Sequence, residues 1–138
     1  MKVLLEKGAT PNASDKNNYT ALHFAAKSGH IEVVRVLLEE GAAPNLLAND
    51  NWTALHFAAR YGHGDVLKML LYRGATIDAV NHWNNTPLHL AIEKYHIVVV
   101  RVLLRHGANI TRKTNKGETA LGIALRLGWV SGVELLKA

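Results

Sequence analysis

Cysteine is absent from the 138-residue chain. That excludes disulfides, thiolate nucleophiles and cysteine metal sites, and it suits a reducing compartment. Long apolar runs are missing too: none approaches the roughly 18–20 residues that a bilayer-spanning helix needs. The opening Met1-Lys2-Val3-Leu4-Leu5-Glu6-Lys7 soon returns to charge and does not read as a secretory leader. Catalytic signatures are lacking as well: there is no G-x-S-x-G, P-loop or H-E-x-x-H pattern. An intracellular protein, cytoplasmic or nuclear, with no catalysis and no cofactor is the expectation, without membrane association and monomeric.

What is present points to a folded chain. Hydrophobic residues make up 49% of the sequence, too many for a disordered segment, and the length suits one domain. The net charge of +5 is unevenly spread. Residues 1–100 hold nine Lys/Arg and nine Asp/Glu. The remainder holds Arg101, Arg105, Arg112, Lys113, Lys116, Arg126 and Lys137 against only Glu118 and Glu134. A basic end of this kind solubilises a surface or favours an acidic partner.

One period organises the sequence. Thr20, Thr53, Thr86 and Thr119 are 33 residues apart and open the phrases TALHFAA, TALHFAA, TPLHLAI and TALGIAL. Gly8, Gly41, Gly74 and Gly107 keep the same spacing, each after a leucine pair and before an alanine. Each unit reads as two short helices. The threonine hydroxyl caps the first by accepting an orphan backbone N–H, and Pro87 sits where a missing N–H costs nothing. Gly29 and Gly62 end the first helix. Ile31, Val34, Leu37 and Leu38 give the second its apolar stripe, with Glu32, Arg35 and Glu39 off it. Asn18, Asn51, Asn84 and Gly117, each two residues before the threonine, tolerate positive φ and predict tight projecting turns. Such a unit cannot bury its own apolar face. Stacking on a neighbour can, at roughly 25 cal/mol per Å² of apolar area covered. A solenoid held by nearest-neighbour interfaces follows.

The phrase NYTALHFAAKSGHIEVVRVLLEEGA and its copies resemble the ankyrin repeat family, across essentially the whole chain. The resemblance implies an all-α solenoid of stacked helix-turn-helix units with projecting β-turn fingers. It implies a partial repeat at 1–16, full repeats at 17–49, 50–82 and 83–115, and a C-terminal capping repeat at 116–138. It also implies that fingers and first helices form one concave face that binds another protein. The positions left free for a partner are Lys16, Asn17, Tyr19 and Lys27 in the first such unit. Asn49, Asp50, Trp52, Arg60 and Tyr61 follow in the next, then His82, Trp83, Asn85, Glu93 and Lys94, then Lys116 and Arg126. Tyr19, Trp52, Tyr61 and Trp83 would supply the aromatic anchors typical of hot spots; packing of Trp52 and Trp83 onto neighbouring fingers is the competing expectation. Trp129 is expected to cover the terminal helix pair.

His23, His56 and His89 are implied to link each helix start to a neighbouring loop. Their regular recurrence, with that of His30, His63 and His96, spreads imidazoles over successive units rather than around one ion, so no metal site is expected. Asn12 and Asn45 resemble asparagines hydroxylated in some members. The chain also departs from the pattern. Tyr95 stands where a glycine is usual, so either the backbone differs there or about 1–3 kcal/mol of strain is carried. Ile92 and Leu125 replace the small second alanine, and Gly122 replaces the motif histidine. Residues 1–9, MKVLLEKGA, read as a second helix without its first, as in a slice of a longer array or a half-repeat. Two other functions are weighed beside protein binding: an architectural array that spaces other domains, and, least favoured, a nucleic-acid binder using Arg112, Lys113, Lys116 and Arg126.

Overall fold

Each threonine of the repeated phrase starts a helix by a reciprocal cap. In the computed structural model, which describes residues 11–138, the hydroxyls of Thr20, Thr53 and Thr86 accept the backbone N–H of His23, His56 and His89. Each histidine Nδ1 accepts the threonine N–H in return, at 2.9, 3.1 and 3.0 Å. Two orphan donors are satisfied at once, with histidine in the place a glutamate often takes. In the last unit Thr119 caps Gly122 without the return bond, because glycine has no side chain.

The helices so started are α1 (Ala21–Ser28), α3 (Ala54–Arg60), α5 (Pro87–Glu93) and α7 (Ala120–Leu127). Each turns back into a second helix: α2 (Ile31–Glu39), α4 (Gly64–Tyr72), α6 (Ile97–Arg105) and α8 (Val130–Lys137). At each turn the N–H of His30, His63, His96 or Trp129 reaches a carbonyl five residues back, on Ala25, Ala58, Ala91 or Ala124. A left-handed residue just before closes this C-cap: Gly29 (φ 76°), Gly62 (φ 78°), Tyr95 (φ 61°) and Gly128 (φ 68°). Tyr95 therefore keeps the backbone of its glycine counterparts and carries the strain.

First helices contact one another in series, as do second helices, giving two layers. Among the described residues there is no named strand, only one isolated antiparallel bridge, Ser14 to Thr20. The core lies between the layers. It repeats Leu22/Leu55/Leu88, Val34/Leu67/Val100 and Leu37/Leu70/Leu103, all buried. Ile92 is also fully buried, whereas Leu125 is 57% exposed on the C-terminal face of α7 and forces no repacking. No helix among the described residues is long and apolar enough to cross a membrane. The half-unit expected at residues 1–9 lies outside the described residues.

The third joint is built differently from the first two. The His63 ring lies over Gly29 and the His96 ring over Gly62, so close that a Cβ on either glycine would come within 2.5 and 2.6 Å of the ring. The matching pair one unit on is Tyr95 with Trp129. Tyr95 has the forbidden Cβ, so an aromatic ring cannot sit there. Trp129 instead meets Tyr95 edge-on, with ring centroids 5.5 Å apart. It also lies over Gly132, where a Cβ would be 2.3 Å from the indole. Gly132 occupies the position of Val66 and Val99, and the indole takes the room those valines would fill.

Candidate functional site

Four fingers precede the first helices. In each, a backbone pair closes the loop: Asp15 with Tyr19, Ala48 with Trp52, Asn81 with Asn85, Thr114 with Glu118. Asn18, Asn51, Asn84 and Gly117 take positive φ there, at 64°, 63°, 63° and 78°, as the turn chemistry demands. Three fingers also carry an acceptor side chain at the base. Asp15 Oδ1 accepts the N–H of Asn17 and Tyr19, Asn81 Oδ1 those of Trp83 and Asn85, and Thr114 Oγ1 those of Lys116 and Glu118. The second finger has Ala48 at that position and no such gathering point. Its tip adopts a 3₁₀ turn, Asn49–Asn51, with Asp50 also at positive φ.

The fingers are bonded edge to edge at a constant register. The N–H of Asn49 reaches Asn17 O, that of His82 reaches Asp50 O, and that of Asn115 reaches Trp83 O, at 3.1, 2.8 and 3.1 Å. Asparagine amides reinforce this. Asn18 and Asn17 bond Asn49, Asn84 bonds Lys113 O, and Asn115 bonds His82 O. Asn17 and Asn49 thus spend much of their polarity inside the array. On the connecting loops Asn12, Asn45 and Asp78 form a second line of stitches, each accepting an N–H of the next unit, from Ala43, Thr76 and Asn109.

The aromatic residues divide into two groups. Tyr19 and Trp52 are half-buried. Both lie against Phe57, with ring centroids 5.5 and 5.0 Å away, and Trp52 also meets His56. Tyr61 and Trp83 are 41% and 47% exposed. Trp83 stands perpendicular to His82, 5.4 Å between rings. Tyr61 ends α3 between Lys27 Nζ, 5.8 Å from its ring centre, and the Arg60 guanidinium, 5.6 Å away. Lys16, Asp50 and Lys94 are exposed nearby on the same series of fingers and helix ends, whereas Asn85 is half-buried, with its carbonyl bonded to His56.

Between the third and fourth fingers opens a cleft of about 190 Å³, lined by Trp83, Asn85, Glu93, Asn115, Lys116 and Arg126 among others. Three of its charges pair with one another. Arg126 Nε donates to Glu118 Oε2 at 2.7 Å, and Nη2 reaches Glu118 Oε1 and Glu93 Oε1, both at 3.3 Å. The bond from Arg126 holds the Glu118 carboxyl below the usual range. Among the described residues Lys116 makes no ion pair. Glu118 is one of the variable finger positions of the last unit, and its carboxylate is turned onto Arg126, eight residues on across a helix start.

The motif histidines are placed for structure. His23, His56 and His89 are buried, and their Nε2 atoms donate to the carbonyls of Leu46, Asn85 and Arg112 at 2.8–2.9 Å. Their Nδ1 atoms accept from threonine, so each ring is neutral and its tautomer fixed. Burial pushes all three down in pKa, His56 to about 4. Threonine oxygen and imidazole nitrogen lie 2.9–3.0 Å apart, and both partners are buried in the helix cap. Among the described residues no three His, Asp or Glu side chains converge as metal ligands would. A family model described as ankyrin repeats in three copies matches residues 1–81 and again residues 74–138. None of the curated proteins matches the chain.

Proposed function

The chain belongs to the ankyrin repeat family, whose members are generally protein–protein interaction modules, and from that premise we propose that it grips one partner protein on the face formed by its fingers and first helices. The observation that carries this reading is the exposure of Tyr61 and of Trp83, the latter lining a formed cleft. Large aromatic side chains half open to water on a rigid surface are the residues that dominate binding energies. Rigidity comes from the finger-to-finger bonds, which hold the face in shape before any partner arrives and lower the ordering cost of binding.

Within this reading Trp83 and the cleft form the centre, and Tyr61 with Lys27 and Arg60 forms a second contact one unit away. Lys16, Asp50, Lys94 and Lys116 form the polar rim. Tyr19 and Trp52 serve mainly as the packed floor. The protein works as a monomer inside the cell.

Affinity capture from the native cell type tests the proposal, using the wild-type chain and the Tyr61→Ala/Trp83→Ala variant at matched thermal stability. A partner retained by the first and lost by the second supports it. A partner retained equally by both refutes it and favours an architectural array, which the regular stitching of the fingers would also serve.

A further inference from the structure

The sequence places its basic excess in residues 101–138, which would steer an acidic partner to the C-terminal units. The three-dimensional arrangement of charge is different. Arg126 is neutralised by Glu118 and Glu93. Arg101 and Arg105 lie on the second-helix layer, beside Leu104 and Leu135 in a shallow groove. Neither contributes to the face of fingers and first helices.

Along the ends of the first helices runs one ladder of equivalent positions: Lys27, Arg60, Glu93 and Arg126. The last two pair with each other. Lys27 and Arg60 make no ion pair among the described residues, and both lie close to the exposed Tyr61 ring. Their backbones are fixed by one device used twice. His63 Nε2 bonds the Lys27 carbonyl at 3.0 Å, and His96 Nε2 bonds the Arg60 carbonyl at 2.8 Å. At the next joint Trp129 stands in place of that histidine, and the ladder residue is Glu93. Two cations without an ion pair are thus anchored one repeat apart, each within about 6 Å of the same ring centre.

From this geometry we infer that Lys27, Arg60 and Tyr61 form a subsite for the carboxylates of an acidic segment of the partner protein. The inference rests on the face proposed above and names the chemistry it recognises. Each of the two cations can meet a carboxylate of such a segment through charge-assisted hydrogen bonds. A nucleic acid fits less well. Asp50, Glu93 and Glu118 interrupt the cations of this face, so it offers no continuous basic track for a phosphate chain, whose affinity grows with the number of phosphates neutralised.

The test is an amide-shift titration of the isotope-labelled full chain at low ionic strength, where exposed charge is least screened. The probes are a short peptide of alternating Glu and Gly, its Gln counterpart, and an oligothymidylate of equal charge. The Glu peptide is expected to shift the amides of Lys27, Arg60 and Tyr61, and the Gln peptide to leave them unmoved. Lys27→Gln/Arg60→Gln should weaken the Glu peptide by about three- to tenfold. Arg101→Gln/Arg105→Gln removes the same charge from the other layer and should change the affinity less than about twofold. Equal weakening by both variants, shifts centred on residues 112–116, no shifts with the Glu peptide, or tighter binding of the oligothymidylate at Lys27 and Arg60 would each overturn the subsite. Trp83→Ala separates the two claims. A captured partner that needs Trp83 but ignores Lys27 and Arg60 removes only the subsite; one that ignores Trp83 and Tyr61 removes the face itself.

Discussion

Acidification should destabilise the protein through His56 before its carboxylates titrate. The ring is fully buried, and burial lowers its pKa from 6.5 to about 4. Its Nδ1 accepts the Thr53 N–H at 3.1 Å, so a proton added there would face another donor. The sign follows from linkage. The folded pKa lies below the unfolded one, so as pH falls below about 6.5 the unfolded state takes up a proton that the folded state refuses. Stability is complete above that pH. It then falls by about 1.4 kcal/mol per pH unit for one histidine, reaching a loss of about 2 kcal/mol near pH 5. The loss levels off below about pH 4, where the folded ring also charges. His23 and His89 act in the same direction, since burial lowers both. Glu32 and Glu118 are depressed by their arginine partners and contribute only below this window. Urea unfolding followed by circular dichroism between about pH 8 and pH 5 measures the slope. Below about pH 6 the slope in His56→Gln should be smaller by up to about 1.4 kcal/mol per pH unit, whatever the variant's absolute stability. An unchanged slope, or stability that rises on acidification, would refute the neutral-cap account of the histidines.

Three further comparisons probe the packing and the face. Trp52→Ala, stripping a ring from Phe57 and His56, should cost about 2–3 kcal/mol of stability, whereas Trp83→Ala should change stability by under about 0.5 kcal/mol yet cost about 2 kcal/mol of partner binding; paired urea melts and calorimetric titrations distinguish them. Gly132→Val drives a side chain into the Trp129 ring and should destabilise by about 1–3 kcal/mol, but much less in a Trp129→Ala background, where the valine regains the role of Val66 and Val99. Gly29→Ala and Gly74→Ala both place a Cβ at positive φ, but only the first meets a neighbouring ring, at 2.5 Å, whereas the second has nothing within 4 Å. The first should therefore cost more by about 1–2 kcal/mol in urea melts.

The fold was legible because its determinants recur in register. A threonine that caps, a glycine or asparagine that accepts positive φ and a leucine that stacks each have one structural solution, repeated in every unit. The site was less legible because its properties arise from contacts between units. Nothing in the order of residues says that Ala48 deprives one finger of an acceptor that Asp15, Asn81 and Thr114 supply. Tyr95, Trp129 and Gly132 look like three separate departures until their rings and Cβ positions are seen to exclude one another. Arg126 counts as a free cation in a charge tally, although Glu118 and Glu93 both hold it. Tyr19 and Trp52 occupy the same variable positions as other finger residues, but Phe57 lies within ring contact of both and half-buries them.

The proposed face is tested most directly by the equilibrium affinity of the captured partner for three proteins: the wild type, Tyr61→Ala/Trp83→Ala, and Tyr72→Ala. Tyr72 is 86% exposed on the second-helix layer, so it offers an aromatic control away from the fingers. The account predicts at least about a tenfold loss for the double variant and none for Tyr72→Ala. Loss of affinity in Tyr72→Ala with the double variant unaffected would contradict it.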